Sequence, residues 1–286
     1  MKKKLLDLSE KIDAFTVEVF DVIIDIADLL DVHIFVVGAR ARDWILGLGY
    51  GIHIIRRTED VDLGVQLPDW KSYAQLREGL IATQKFIPDK KEAQRLLYKG
   101  RFPVDIIPFG DIAGPGERVL FPPDEAFEMS TEGFEEAYQN SITIKVRTKP
   151  LLEIQAVSLA GLASLKIISW NDNPVRGDRD AKDLLLLMRN YLDAGNVERL
   201  YNEEANLIEK EDFDYELASA RLLGRDIATI LLPKTRHTIL MILERETGEV
   251  QSRLVHNMLE LGADSSDFEK PLHLLAEMKA GILEKL

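Results

Sequence analysis

The sequence predicts an α+β protein in two parts, mixed α/β over residues 1–150 and all-α over residues 151–286. Two observations carry this. From Asp60 to Leu67 the chain alternates strictly: Val61, Leu63, Val65 and Leu67 are apolar, with Asp60, Asp62, Gly64 and Gln66 between them. Ile142, Ile144 and Val146 repeat the alternation. Period two marks a half-buried strand, because successive side chains point to opposite faces. After Pro150 the apolar residues Ile154, Val157, Gly161, Leu165 and Ile168 recur instead at helical spacing.

The elements follow in order. Leu5, Leu8, Ile12, Phe15, Val19, Val22, Ile23, Ile26 and Leu30 predict one amphipathic helix over residues 5–31. His33 to Val37 is an apolar run of strand length, stopped by Gly38. A helical pattern (Ala41, Trp44, Ile45, Leu48) follows from Ala39 until Gly47, Gly49 and Gly51 break it. Pro68-Asp69-Trp70 opens a further helix, and strands are predicted at 84–87, 94–99 and 101–108. Residues 110–118 are a glycine-rich loop without a P-loop pattern, and the chain around Pro122-Pro123 is irregular or briefly helical. Beyond the first helix of the second part come a loop at 170–177, a helix capped by Asp178 and running to about Tyr191, and helices at 196–209, 213–227, 234–245, 248–261 and 269–284.

Composition narrows the function. The chain has 286 residues, no cysteine and a formal net charge of −13. Thiolate chemistry and disulfides are excluded, and the acidic balance argues against a broad nucleic-acid footprint while permitting a local basic groove. No apolar run approaches the roughly 20 residues that span a bilayer, so a soluble, cytoplasmic protein without membrane contact is expected. Walker A, Gly-x-Ser-x-Gly and His-Glu-x-x-His patterns are absent.

Three places carry chemistry. On a strand Asp60 and Asp62 share a side, and two like charges at that spacing repel unless a cation lies between them. Oxygen ligands without His or Cys favour magnesium or manganese. The alternative is an exposed edge strand with two solvated aspartates. Asp105 is a lone carboxylate among Val104, Ile106 and Ile107, which requires either a metal or a buried arginine partner. Gly38-Ala39-Arg40 joins a strand to a helix start, where unpaired backbone N–H groups accept an anion and where Arg40 and Arg42 add charge. The alternative there is a tight turn that needs a small residue.

Taken together, strand, Gly-small turn, helix, Asp-x-Asp strand and a later strand with a third aspartate resemble the nucleotidyltransferase superfamily that shares the polymerase β palm. Val104 to Gly110, Phe121-Pro122-Pro123-Asp124, Met129, Gly133 to Ala137, Leu165 to Trp170 and Arg179 to Leu184 resemble the AbiEii/AbiGii-toxin-like nucleotidyltransferases within it. The resemblance covers roughly residues 33–191. It implies a palm of mixed sheet and flanking helices followed by the all-α domain.

The resemblance also implies roles. Asp60, Asp62 and Asp105 match the metal-binding and catalytic carboxylates, for magnesium or manganese. Gly38-Ala39 match the phosphate loop, with Ala39 departing from the family's Gly or Ser. Lys166 matches a helix-borne catalytic lysine at the nucleotide phosphates, and Asp180 and Asp183 match an acidic pair on the next helix; without the resemblance, Lys166 reads as a solvated helix lysine and the aspartates as helix-start charges. The implied activity is transfer of a nucleoside monophosphate from ATP or another NTP to an RNA 3′ end such as that of tRNA, a protein or a small molecule. A toxin with a cognate antitoxin is one such role. A nucleotide-binding protein that has lost catalysis and an antibiotic-modifying nucleotidyltransferase are the alternatives. The nucleotide is expected between Gly38 and Lys166, and Lys166→Ala is expected to weaken NTP binding or turnover by roughly 1.5–3 kcal/mol.

Overall fold

The computed structural model describes residues 4–56, 58–122, 127–173, 177–208, 213–248, 252–259 and 265–285. The chain divides into two compact units, Met1–Ser158 and Leu159–Leu286. The first contains β1 (Leu5–Asp7), α1 (Ala14–Leu29), β2 (His33–Val37) and α2 (Gly38–Arg42), the last running on as wider π-helical turns over Asp43–Gly49. Then come β3 (Val61–Gln66), α3 (Trp70–Ala82), β4 (Phe86–Pro88), β5 (Arg95–Tyr98), β6 (Phe102–Phe109), β7 (Arg118–Phe121), β8 (Phe127–Ser130), α4 (Phe134–Gln139), β9 (Ile142–Arg147) and β10 (Leu152–Ala156).

Eight of these strands form one mixed sheet in the order β1-β9-β10-β2-β3-β6-β5-β4. β3 lies inside it, antiparallel to β2 and parallel to β6. The alternation of β3 sends Val61, Leu63 and Val65 to one face, where all three are buried. The register puts Asp62, Gly64 and Gln66 on the other face, with Asp105, Ile107 and Phe109 of β6 beside them. That second face is covered as well, at one end. There α4 lays Phe134 and Tyr138 against Phe35 and Phe109, and Gln66 donates to Glu135 at 2.9 Å. At the other end of this face Asp62 is half-buried.

Three stretches differ from the sequence reading. The single helix over 5–31 is a short strand and then a helix. Leu5–Asp7 pairs in parallel with β9, and the Asp7 carboxylate accepts from the Ser9 backbone and hydroxyl, turning the chain before α1 begins. Asp13 caps α1 by accepting from Thr16 N at 2.9 Å. Residues 152–156 form a strand because Leu152, Ile154 and Ala156 are buried at period two; Ile154 and Val157 merely fall in phase with the helix that follows. The stretch read as irregular around Pro122 is a β7–β8 hairpin, with Pro123 and Asp124 outside the described residues.

The second unit is helical: α5 (Leu159–Asp172), α6 (Gly177–Asn190), α7 (Val197–Asn202), a 3-10 turn at Ala205–Leu207, α8 (Tyr215–Ile230), α9 (Pro233–Gly248), α10 (Arg253–Met258) and α11 (Ser265–Leu283). α5 thus runs through the first part of the predicted 170–177 loop, whose Pro174, Val175 and Arg176 lie outside the described residues. So do residues 209, 249–251 and 260–261, the fringes of predicted helices. α8 and α11 approach closely enough that a Cβ on Gly224 would fall 2.0 Å from the Met278 carbonyl oxygen.

Arginines fasten the same two helices. Arg221 donates to Glu277 and to Glu284, and Arg225 donates to Glu204 and, at 2.6 Å, to Glu284. Burial alone would raise the Glu284 carboxyl, but hydrogen bonds from Arg221 and Arg225 outweigh it and hold its pKa at about 2. A depressed carboxylate stabilises fully above its ordinary value of 4.5 and loses that contribution as pH falls toward 2. Glu284→Gln is therefore expected to lower the melting temperature at pH 7 and to flatten the loss of stability on acidification across that window. An acid titration followed by circular dichroism checks it; parallel curves for the two proteins would refute the linkage.

Candidate active site

Strand pairing places the carboxylates. Val37 of β2 is opposite Asp62, and Asp62 is opposite Asp105 on the parallel neighbour β6. Register partners share a face, so these two acids stand side by side. Asp60 precedes the strand by one residue and joins them. One oxygen from each of Asp60, Asp62 and Asp105 lies within 4.8 Å of the others. Asp60 and Asp62 are half-buried, and Asp105 is only 7% exposed.

Gly38 opens α2 against this cluster. Its φ is +66°, and a Cβ there would lie 2.1 Å from Asp62 Oδ2. Glycine is thus required twice, by the left-handed backbone and by the carboxylate beside it. Gly38→Ala is expected to destabilise the chain by about 1–2 kcal/mol through backbone strain and to push Asp62 aside. Misplacing a reacting geometry by about 1 Å costs roughly a hundredfold in rate. A transfer assay beside a thermal melt checks both effects, and full activity would show that the placement of Asp62 does not matter.

The arginines expected beside the turn part company. Arg42 is only 2% exposed, and it donates to Asp43 at 2.6 Å and to the Arg56 carbonyl oxygen at 2.7 Å. The other Asp43 oxygen accepts from Thr58 N at 3.1 Å, and the Thr58 hydroxyl donates to Asp60. Arg42 and Asp43 together therefore clamp the chain that leads into Asp60. Arg40 stays near. Its Nε donates to the Asp60 carbonyl oxygen at 3.2 Å, and its guanidinium faces the Phe102 ring. Burial draws its pKa down against the opposing pull of Asp43 and Asp60. Ala39 is half-buried in the first turn of α2.

Arg95 is the residue the sequence reading passed over. It faces Asp105 across the β5–β6 pair, donating from Nε to Oδ1 and from Nη2 to Oδ2, both at 2.7 Å. The same Nη2 lies 3.9 Å from Asp60 Oδ2. Of the two readings of Asp105, a metal ligand or the partner of an arginine, the arginine partner is present.

Lys166, Asp180 and Asp183 assemble in the second unit. Lys166 Nζ on α5 lies 2.5 Å from Asp180 and 3.0 Å from Asp183 on α6, and the Ser169 hydroxyl donates to Asp180 at 2.8 Å. All three side chains are at most 14% exposed. Burial works against the ammonium charge, but the two carboxylates outweigh it and hold the lysine pKa above its ordinary value. This is a buried ion triad rather than a solvated lysine beside helix-start acids.

The family described as nucleotidyl transferase AbiEii toxin, Type IV TA system, matches residues 45–259, well over half of the chain. The chain belongs to the AbiEii nucleotidyl transferase family. The matched span holds Asp60, Asp62, Asp105, Lys166, Asp180 and Asp183 and begins just after Gly38. No curated protein matches the sequence. Among solved structures, ANT(2″)-Ia in complex with adenylyl-2″-tobramycin is 14% identical, with 60% of this chain and 87% of that chain covered and a TM-score of 0.34. The Thermotoga maritima CCA-adding enzyme complexed with tRNA is 18% identical, with 92% and 67% covered and a TM-score of 0.34. Likenesses this distant fix neither substrate nor mechanism. Among the described residues no helix is long and apolar enough to cross a membrane.

For an AbiEii transferase the cluster suits a divalent ion. Its donors are carboxylate oxygens alone, the preference of hard cations such as magnesium or manganese. A cation already sits against it in the form of the Arg95 guanidinium.

Proposed function

We propose that this chain transfers a nucleoside monophosphate from an NTP to an acceptor hydroxyl, with Asp60, Asp62 and Asp105 as its catalytic carboxylates. The supporting observation is the convergence of these three acids, inside 4.8 Å, on neighbouring strands of a chain in a nucleotidyl transferase family. In this reading Asp60, Asp62 and Asp105 would hold magnesium or manganese through their carboxylate oxygens. The bound ion supplies charge neutralisation of the triphosphate and a lowered pKa for the acceptor hydroxyl.

The acceptor oxygen bonds to the α-phosphorus and the bond to the bridging oxygen breaks, so that pyrophosphate leaves with the electron pair. Asp105, next to the acceptor, takes the hydroxyl proton. Backbone N–H groups of Gly38 and Ala39 at the helix start, with Arg40 beside them, bind the phosphates. For Lys166 the family resemblance implies a place at the nucleotide phosphates. Asp180 and Asp183 fix the position of its ammonium, which is what such a role needs. Acceptors in this reading are RNA 3′ ends, proteins or small molecules, and a cognate antitoxin is the partner a toxin of this family would have.

Incubation with each α-labelled NTP, magnesium and bulk cellular RNA, protein or small-molecule extract tests the reading. Label is expected to move into one acceptor fraction, with release of pyrophosphate. No transfer from any NTP to any fraction would refute it.

A further inference from the structure

Arg95 occupies both oxygens of Asp105 in a forked pair and reaches toward Asp60 with the same nitrogen. A divalent ion shared by Asp60 and Asp105 would draw on the same two carboxylates. The fork leaves each oxygen a second lone pair, so the competition is one of charge: the guanidinium stands 2.7 Å from Asp105 and 3.9 Å from Asp60, where the ion's own charge would lie, and the two cations repel. Arg95 also has somewhere to go: its side chain is 26% exposed, and β5 is separated from the sheet edge only by the three-residue β4. Asp105, by contrast, is held on a strand paired on both sides.

We propose that Arg95 is a built-in competitor for the cation site, seated on Asp105 until a divalent ion displaces it, and so a positioning residue that sets how tightly the ion binds. This rests on reading Asp60, Asp62 and Asp105 as a cation site. In the metal-free protein the arginine relieves repulsion among three close carboxylates. On displacement it becomes a mobile cation beside the cluster, available to the phosphates of an incoming nucleotide.

Manganese binding to the full chain, measured by isothermal titration and by the electron paramagnetic resonance of free Mn²⁺, tests this without any turnover. Arg95→Met is expected to bind Mn²⁺ at least tenfold more tightly than the natural protein, while its melting temperature in EDTA falls. Arg95→Lys keeps a charge but loses the fork, and is expected to bind Mn²⁺ more tightly than the natural protein and less tightly than Arg95→Met. It carries the test if the methionine variant does not fold. Asp62→Ala supplies the control. If Asp62→Ala abolishes binding but the Arg95 variants bind as the natural protein does, or more weakly, the competitor role is overturned and the cation site stands. If Mn²⁺ binds none of the proteins, or binds Asp62→Ala unchanged, the cation site itself is wrong and the competitor role falls with it.

Discussion

Asp62→Asn is expected to lower nucleotide transfer at least about a thousandfold, some 4 kcal/mol of transition-state stabilisation, while leaving the fold in place. Asparagine has nearly the shape of aspartate, so the contact with Gly38 and the β3 register survive. What disappears is a formal charge from a group of three carboxylates gathered within 4.8 Å. A neutral amide cannot replace it in balancing a divalent ion. Steady-state transfer rates beside melts in EDTA decide the matter. Activity within tenfold of the natural protein would place the chemistry elsewhere.

Lys166→Ala is expected to destabilise the second unit by roughly 3–5 kcal/mol, the usual cost of removing one partner from a buried ion pair. The cost arises because Asp180 and Asp183 lose the ammonium they share while staying together and nearly excluded from water. The melting temperature is then expected to fall by about 10 °C or more. Weakened NTP binding in this variant therefore reports the ammonium only when measured well below the melt. Lys166→Ala combined with Asp183→Asn is expected to recover much of the lost stability, because it removes the repulsion, but not nucleotide affinity. Melts of the single and double variants check this; an unchanged melting temperature in the single variant would mean that the triad does not hold α5 to α6.

Of the strands that build the site, β3 was legible from its period-two alternation, and β2 and β6, buried on both faces, from apolar runs of strand length. Asp60, Asp62 and Asp105 stood out for the same reason, as acids in the wrong company. Arg95 did not, since an arginine on a half-exposed strand looks ordinary by itself. Its signal was pairwise. With Lys99-Gly100-Arg101 as the turn between two predicted strands, counting outward puts Arg95 opposite Asp105, as the β5–β6 ladder does. Arg42 shows a similar limit: the sequence marks it as charge near the Gly38 turn, and only the fold shows its bonds to Asp43 and to the Arg56 carbonyl oxygen. The start of the chain and residues 152–156 were misread because three or four apolar residues satisfy helix and strand spacing alike, and only the neighbouring strand β9 decides between them.

The parallel register of β3 and β6 has a further consequence, for how this centre tolerates insertion and deletion. Asp62 and Asp105 meet because they occupy the same rung of the ladder, and a rung position is a whole number. Losing one residue within Val61–Gln66 would set Val61 or Leu63 where Asp62 stands, turning an apolar side chain toward the opening and a carboxylate into the core. Nothing intermediate is available. The stretch from Ile52 to Ile55, ahead of the contacts that hold Arg56 and Thr58, is under no such arithmetic, since added chain there leaves every rung in place. Length variation in related sequences should accordingly gather before Asp60 and be missing from the six residues after it.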